Sequence, residues 1–132
     1  MSVDLDRLIE RADELWEESI LPSLTEFIAI EALSPSFEPN WKGKGELDSA
    51  IDLFSNWLEE QQLDGMTYDV HTIDGRTPIL LVTVEGTGPG EVIFYSHLDK
   101  QPSRAKLWSE GLHPLNAVRT EPWLFGRGAL DD

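Results

Sequence analysis

Apolar residues recur at helical spacing from Leu5 to Ile30, at Leu5, Leu8, Ile9, Ala12, Leu15, Trp16, Ile20, Leu24, Phe27 and Ile28. Pro22 interrupts this stripe. The pattern therefore predicts either a kinked helix or two helices with Pro22 in the first turn of the second. Pro and Gly dominate Leu33 to Gly45, which reads as loop. A second amphipathic helix is expected after it, with Leu47, Ala50, Ile51, Phe54, Trp57 and Leu58 on one face and an end before Gly65. Beyond Gly65 the period shortens to two. Met66 to Ile73 alternates as a half-buried strand, Asp74-Gly75 marks a turn, and Pro78 to Val84 reads as the hairpin partner. After a Gly-rich turn at Gly86 to Gly90, the run Glu91 to Ser96 is continuously apolar at its centre. Such a run is the signature of a strand covered on both faces. The remainder is expected to be mostly loop, with a short strand near Trp123 to Phe125.

Composition narrows the class. The chain has 132 residues, 40% of them hydrophobic and 27% charged, which suits a folded domain rather than a disordered one. Ten basic residues against 25 acidic ones give a net charge of −15. A surface of that sign repels phosphates, so nucleic acid and anionic membranes are not expected partners. The chain has no cysteine. Disulfides, thiolate metal sites and a thiol nucleophile are thereby excluded, and any metal must be held by His, Asp and Glu. The amino terminus is acidic where a secretory signal is basic, and apolar runs such as Ile79 to Val82 are far shorter than a membrane span. Cytoplasmic residence is the expectation.

Two short segments could carry chemistry. The first is Ser96-His97-Leu98-Asp99-Lys100-Gln101-Pro102, at the carboxyl end of the expected buried strand, where ligand sites of open α/β sheets form. In His-x-Asp along an extended chain the two side chains share a side. The carboxylate of Asp99 can then hold one imidazole nitrogen of His97 and leave the other free for a metal or a proton. A lone His-x-Asp equally fits a strand end that only satisfies backbone groups. The second segment is Phe125-Gly126-Arg127-Gly128-Ala129-Leu130-Asp131-Asp132. Its glycines allow close backbone approach and its carboxylates could ligate a divalent cation, although a solvated acidic turn would look the same. His71 and His113 lack ligand-spaced partners and read as solvated or structural. Lys42-Gly43-Lys44-Gly45 does not match a phosphate-binding loop.

Taken together, the two segments resemble the paired signatures of the M20 family of metallopeptidases, the aminoacylase, carboxypeptidase and dipeptidase group. The shared features run in the same order: His97, Asp99, Pro102, Trp108, then Phe125-Gly126-Arg127-Gly128-Ala129-Leu130-Asp131-Asp132. Phe125 stands where Tyr is more usual, and Lys100-Gln101-Pro102 is nearest to the dipeptidase-like branch.

The resemblance implies an α/β fold, the amino-terminal portion of a zinc-peptidase-like catalytic domain spanning residues 1–132, with a mostly parallel sheet flanked by helices. It implies a site for two zinc ions, with His97 ligating one, Asp131 bridging both, and Asp99 as the catalytic-site carboxylate that orients His97. It also implies a cis peptide bond after Asp131. The implied activity is metal-dependent hydrolysis of an amide in a small peptide or N-acyl amino acid, by a parent enzyme that is a homodimer. Family members continue with a Glu-Glu pair and a distant His, which this chain lacks. The expectation is thus a truncated, by itself inactive portion of such an enzyme. The rival from another class is a non-catalytic acidic binding or assembly module with a degenerate metal motif.

Overall fold

The structure, a computed structural model, describes residues 4–131. Asp132 and the expected cis bond after Asp131 lie outside the described residues. The chain is α/β, with its helices in the first half and its strands in the second.

Helix α1 spans Leu5–Leu15 and opens on Asp4, whose carboxylate accepts the Arg7 backbone N–H at 3.2 Å. It runs into a single π-helical turn, Trp16–Ile20, and then into α2, Leu21–Ala29. The Leu21 N–H reaches back five residues to the carbonyl of Trp16. In a regular helix the ring of Pro22 would collide with the carbonyl of Glu18, and a turn widened ahead of it relieves that collision. Pro22 falls within the first two positions of α2. The expected interruption is thus a π turn inside one continuous helical path.

The predicted loop contains one short helix, α3, Trp41–Lys44, ending on Gly45 in the left-handed region at φ 71°. Helix α4, Glu46–Gln61, follows at once. The core lies between α2 and α4. Phe27, Ala32, Leu47 and Ala50 are buried in it, Phe27 meets Phe54 edge-on at 5.2 Å, and Leu24, Ile30, Trp41 and Leu53 pack around them. The side of α1 carrying Leu5, Leu8 and Ile9 stays exposed, and so does Trp16, which the helical pattern places toward a core.

The hairpin forms as expected. Strands β1, Met66–His71, and β2, Ile79–Val84, pair antiparallel in a register running from Met66 opposite Val84 to His71 opposite Ile79. A second small hairpin joins β3, Val118–Thr120, to β4, Trp123–Phe125. Only β4 is visible in the apolar pattern.

The sheet differs from expectation. The two sheets are each two-stranded and antiparallel, and the parallel pairing among the described residues is an isolated bridge between Leu33 and Lys100. The run Glu91 to Ser96 is not a strand and is not buried: Val92, Ile93, Phe94 and Tyr95 are 80%, 87%, 92% and 91% exposed. An apolar run marks a preference for burial. Realising it as a two-sided strand takes ladder partners at both edges and a layer on each face, and the described residues supply neither.

Candidate metal centre

Three pieces of chain meet at the carboxyl end of α2. After α2 the backbone turns through Ala32, fully buried at φ 33°, into Leu33. There it pairs with Lys100: the Lys100 N–H donates to the Ala32 carbonyl at 2.8 Å, and the Ser34 N–H to the Lys100 carbonyl at 2.9 Å. This bridge fixes the residue directly after His97-Leu98-Asp99. The third piece is the turn Gly126 to Asp131. A Cβ placed on Gly126 would fall 2.6 Å from the side chain of Ile28, so only glycine lets this turn lie on α2. The Arg127 N–H donates to the carbonyl of the buried Pro114 at 2.7 Å, which holds the turn from its other side.

These supports bring His97 and Asp131 together across 34 positions of sequence: His97 Nε2 lies 2.9 Å from Asp131 Oδ1. On the opposite edge of the ring, His97 Nδ1 lies 2.9 Å from the backbone carbonyl of Asp99 and 3.3 Å from its carboxylate Oδ1. Each ring nitrogen thus faces an oxygen that accepts, Nδ1 the main chain and carboxylate of Asp99 and Nε2 the carboxylate of Asp131, so Nε2 would give up any proton it shares with Asp131 on taking a cation. The Asp99 contact expected from the carboxylate alone is thus shared with the main chain. The imidazole and the Asp99 carboxylate are each about one-third exposed, whereas Asp131 is 78% exposed, so the pair opens to solvent on the Asp131 side.

The spacing is that of a direct hydrogen bond, and a shared cation would widen it. Two ligands at 2.0–2.2 Å from one tetrahedral ion stand about 3.3–3.6 Å apart, so the observed pair would need to open by roughly half an ångström. The donor types, an imidazole nitrogen and a carboxylate oxygen, are those zinc takes in cysteine-free sites. Among the described residues no group of three or more His, Cys, Asp or Glu side chains converges in a way that could hold a metal ion.

Lys100 escaped the sequence reading as a functional residue, because nothing in a lone lysine signals burial. It is 1% exposed, and its Nζ donates to the carbonyls of Phe27 at 2.6 Å, Ile30 at 2.7 Å and, more weakly, Ile28 at 3.4 Å. The ammonium also lies 4.0 Å from the centre of the Phe27 ring. Burial lowers its pKa to about 8, with the Arg127 charge pushing the same way and Glu31 and Glu46 opposing. At neutral pH it is mainly charged, and it serves as a cation at the carboxyl end of α2.

Arg127 also lines an open cleft of about 430 Å3 together with Arg104, Leu107, Trp108 and Phe125. Among the described residues none of the lining side chains is acidic, in a chain of net charge −15. The other two histidines stand apart from the centre. His71 is an exposed residue of β1, and His113 accepts the Leu115 backbone N–H at 3.1 Å in an exposed turn.

No protein-family model matches the chain, and no curated protein matches it at a significant level. The resemblance to M20 metallopeptidases therefore rests on the two motifs. Among the described residues no helix is long and apolar enough to cross a membrane.

Proposed function

We propose that this chain carries part of a metal-dependent hydrolase centre acting on amide bonds, of the kind found in M20 dipeptidases and N-acyl amino acid hydrolases. The observation that carries the reading is the approach of His97 Nε2 to Asp131 Oδ1 at 2.9 Å while Asp99 occupies Nδ1. His97 and Asp131 would be the ligands of a divalent cation, zinc by donor type, and Asp99 would keep Nδ1 protonated so that the Nε2 lone pair faces the ion. A cation bound there supplies Lewis acidity, polarising a scissile carbonyl and lowering the pKa of an attacking water toward 7. A mostly parallel sheet flanked by helices and a cytoplasmic location belong to the same reading.

The cleft beside Arg127 supports the substrate class. Its two guanidinium groups and aromatic walls suit a small peptide or N-acyl amino acid, which presents a carboxylate next to an apolar side chain.

Calorimetric titration of the chain with zinc tests the reading. With two side-chain ligands, binding should be measurable but far weaker than in a complete site, and His97→Ala or Asp131→Asn should abolish it. Identical titrations for the parent chain and both variants would refute the metal assignment and favour an acidic binding module.

A further inference from the structure

We propose that Lys100 is the positioning residue of the His97–Asp131 pair: one buried side chain ties the His97 segment and the Asp131 turn to the same end of α2, and so sets their separation. The inference rests on the metal-centre reading for its consequence, but its geometric content stands apart from any metal.

Three contacts converge on this residue. Its backbone closes the bridge to Leu33 that fixes the exit of His97-Leu98-Asp99. Its ammonium is held by the carbonyls of Phe27 and Ile30, so its direction is set by the last turn of α2. Its aliphatic stem then forms the surface under Gly128. A Cβ placed on Gly128 would fall 2.6 Å from Lys100 Cε and 3.2 Å from the Phe27 ring. Gly128 also has φ 82°, in the left-handed region that favours glycine. The lysine cannot swing aside without giving up its bonds to the carbonyls of Phe27 and Ile30, of which Phe27 keeps the Ile30 N–H at 3.1 Å. Gly128 is three residues from Asp131, and Lys100 is three residues from His97. A shift of the lysine therefore moves both ligands at once, and a shift of either segment is resisted by the same ammonium.

The experiment compares Lys100→Met, which keeps a long apolar stem without the charge, with Gly128→Ala, which keeps the ammonium and displaces the stem. Ser19→Ala, remote from the centre, serves as a destabilised control. Each is followed by thermal melting, by long-range 1H–15N NMR of the His97 ring nitrogens (assigned with His97→Ala), and by zinc titration well below the melting midpoint. Both site variants should shift the His97 ring nitrogens and weaken zinc binding at least tenfold, while the control lowers the midpoint and leaves both unchanged. If the site variants lower the midpoint yet leave the His97 nitrogens and the zinc affinity as in the parent, Lys100 is merely structural and the proposal fails. Should Lys100→Met not fold, the Gly128→Ala spectrum decides by itself. Should the parent bind no zinc, the metal reading falls while the NMR comparison still decides the positioning role.

Discussion

At the scale of single residues, one side-chain bond reports directly on how the hairpin is anchored. The Tyr68 hydroxyl on β1 donates to the carboxylate of Glu59 on α4. That hydrogen bond, assisted by partial burial and by the negative charge of Glu59, raises the phenol above its ordinary pKa of 10. A raised folded-state pKa means that the folded protein holds this proton more tightly than the unfolded chain. The contribution to stability is thus complete below pH 10 and is lost as pH rises through the folded value. In a Tyr95→Phe background, where Tyr68 is the remaining tyrosine, the phenolate absorbance should appear at a higher pH than in free tyrosine. Glu59→Gln should bring that midpoint back toward 10. An unchanged midpoint would mean that the bond does not persist in solution. The same scale shows how far residue-level chemistry was legible. His97, Asp99 and Asp131, which the structure brings together, stood out in the sequence through the two short motifs that contain them. Lys100 did not, because a lysine gains its role from burial against carbonyls that lie 70 or more positions away.

Apart from the three-residue β4, whose run Trp123 to Phe125 is apolar throughout, elements were legible in proportion to their length. Helices α1, α2 and α4 and the hairpin β1–β2 each repeat their apolar period often enough to be read, whereas α3 and β3 span 4 and 3 residues and complete no period. The π turn at Trp16–Ile20 was visible only as a disturbance at Pro22. Its consequence for packing is specific. Ser19 lies within that turn, and its Oγ accepts the indole N–H of Trp57 on α4 at 2.9 Å in a half-buried setting, with Gln61 donating to the Trp57 carbonyl beside it. Removing the acceptor leaves a partly buried donor without its partner, at a cost of about 1 kcal/mol. Ser19→Ala should therefore lower the melting midpoint by roughly 3–4 °C, the shift that such a loss produces in a chain of this length. Melts followed by tryptophan fluorescence give the value. No shift at all would mean that water replaces the serine at no cost. The salt link from Arg119 on β3 to Glu17 in the π turn is bidentate at 2.6 and 2.7 Å but exposed, and exposed pairs contribute little.

Over the whole molecule, burial and charge pull in opposite directions. The misread strand is the clearest case. Glu91 to Ser96 has the composition of a buried strand, but local composition cannot state which layers cover it, so the run Val92 to Tyr95 faces solvent as contiguous apolar surface. Ile79, Leu81, Val82 and Val84 of β2 are exposed as well, giving a second apolar segment of extended chain. Surface of this kind drives self-association through burial and strand-edge pairing. Opposing it is a net charge of −15, which repels a second copy over the Debye length, about 10 Å at 0.1 M salt and about 3 Å at 1 M. Screening should therefore tip the balance. Light scattering is expected to show little association of the purified chain at low ionic strength and growing association as salt is added, together with binding of an apolar dye. Phe94→Asp, placed in the most exposed part of the run, should suppress both by adding charge where apolar area was lost. A monodisperse chain that binds no dye at low and at high salt would show that Val92 to Tyr95 is covered in solution, and the strand inferred from its sequence would then deserve to be restored.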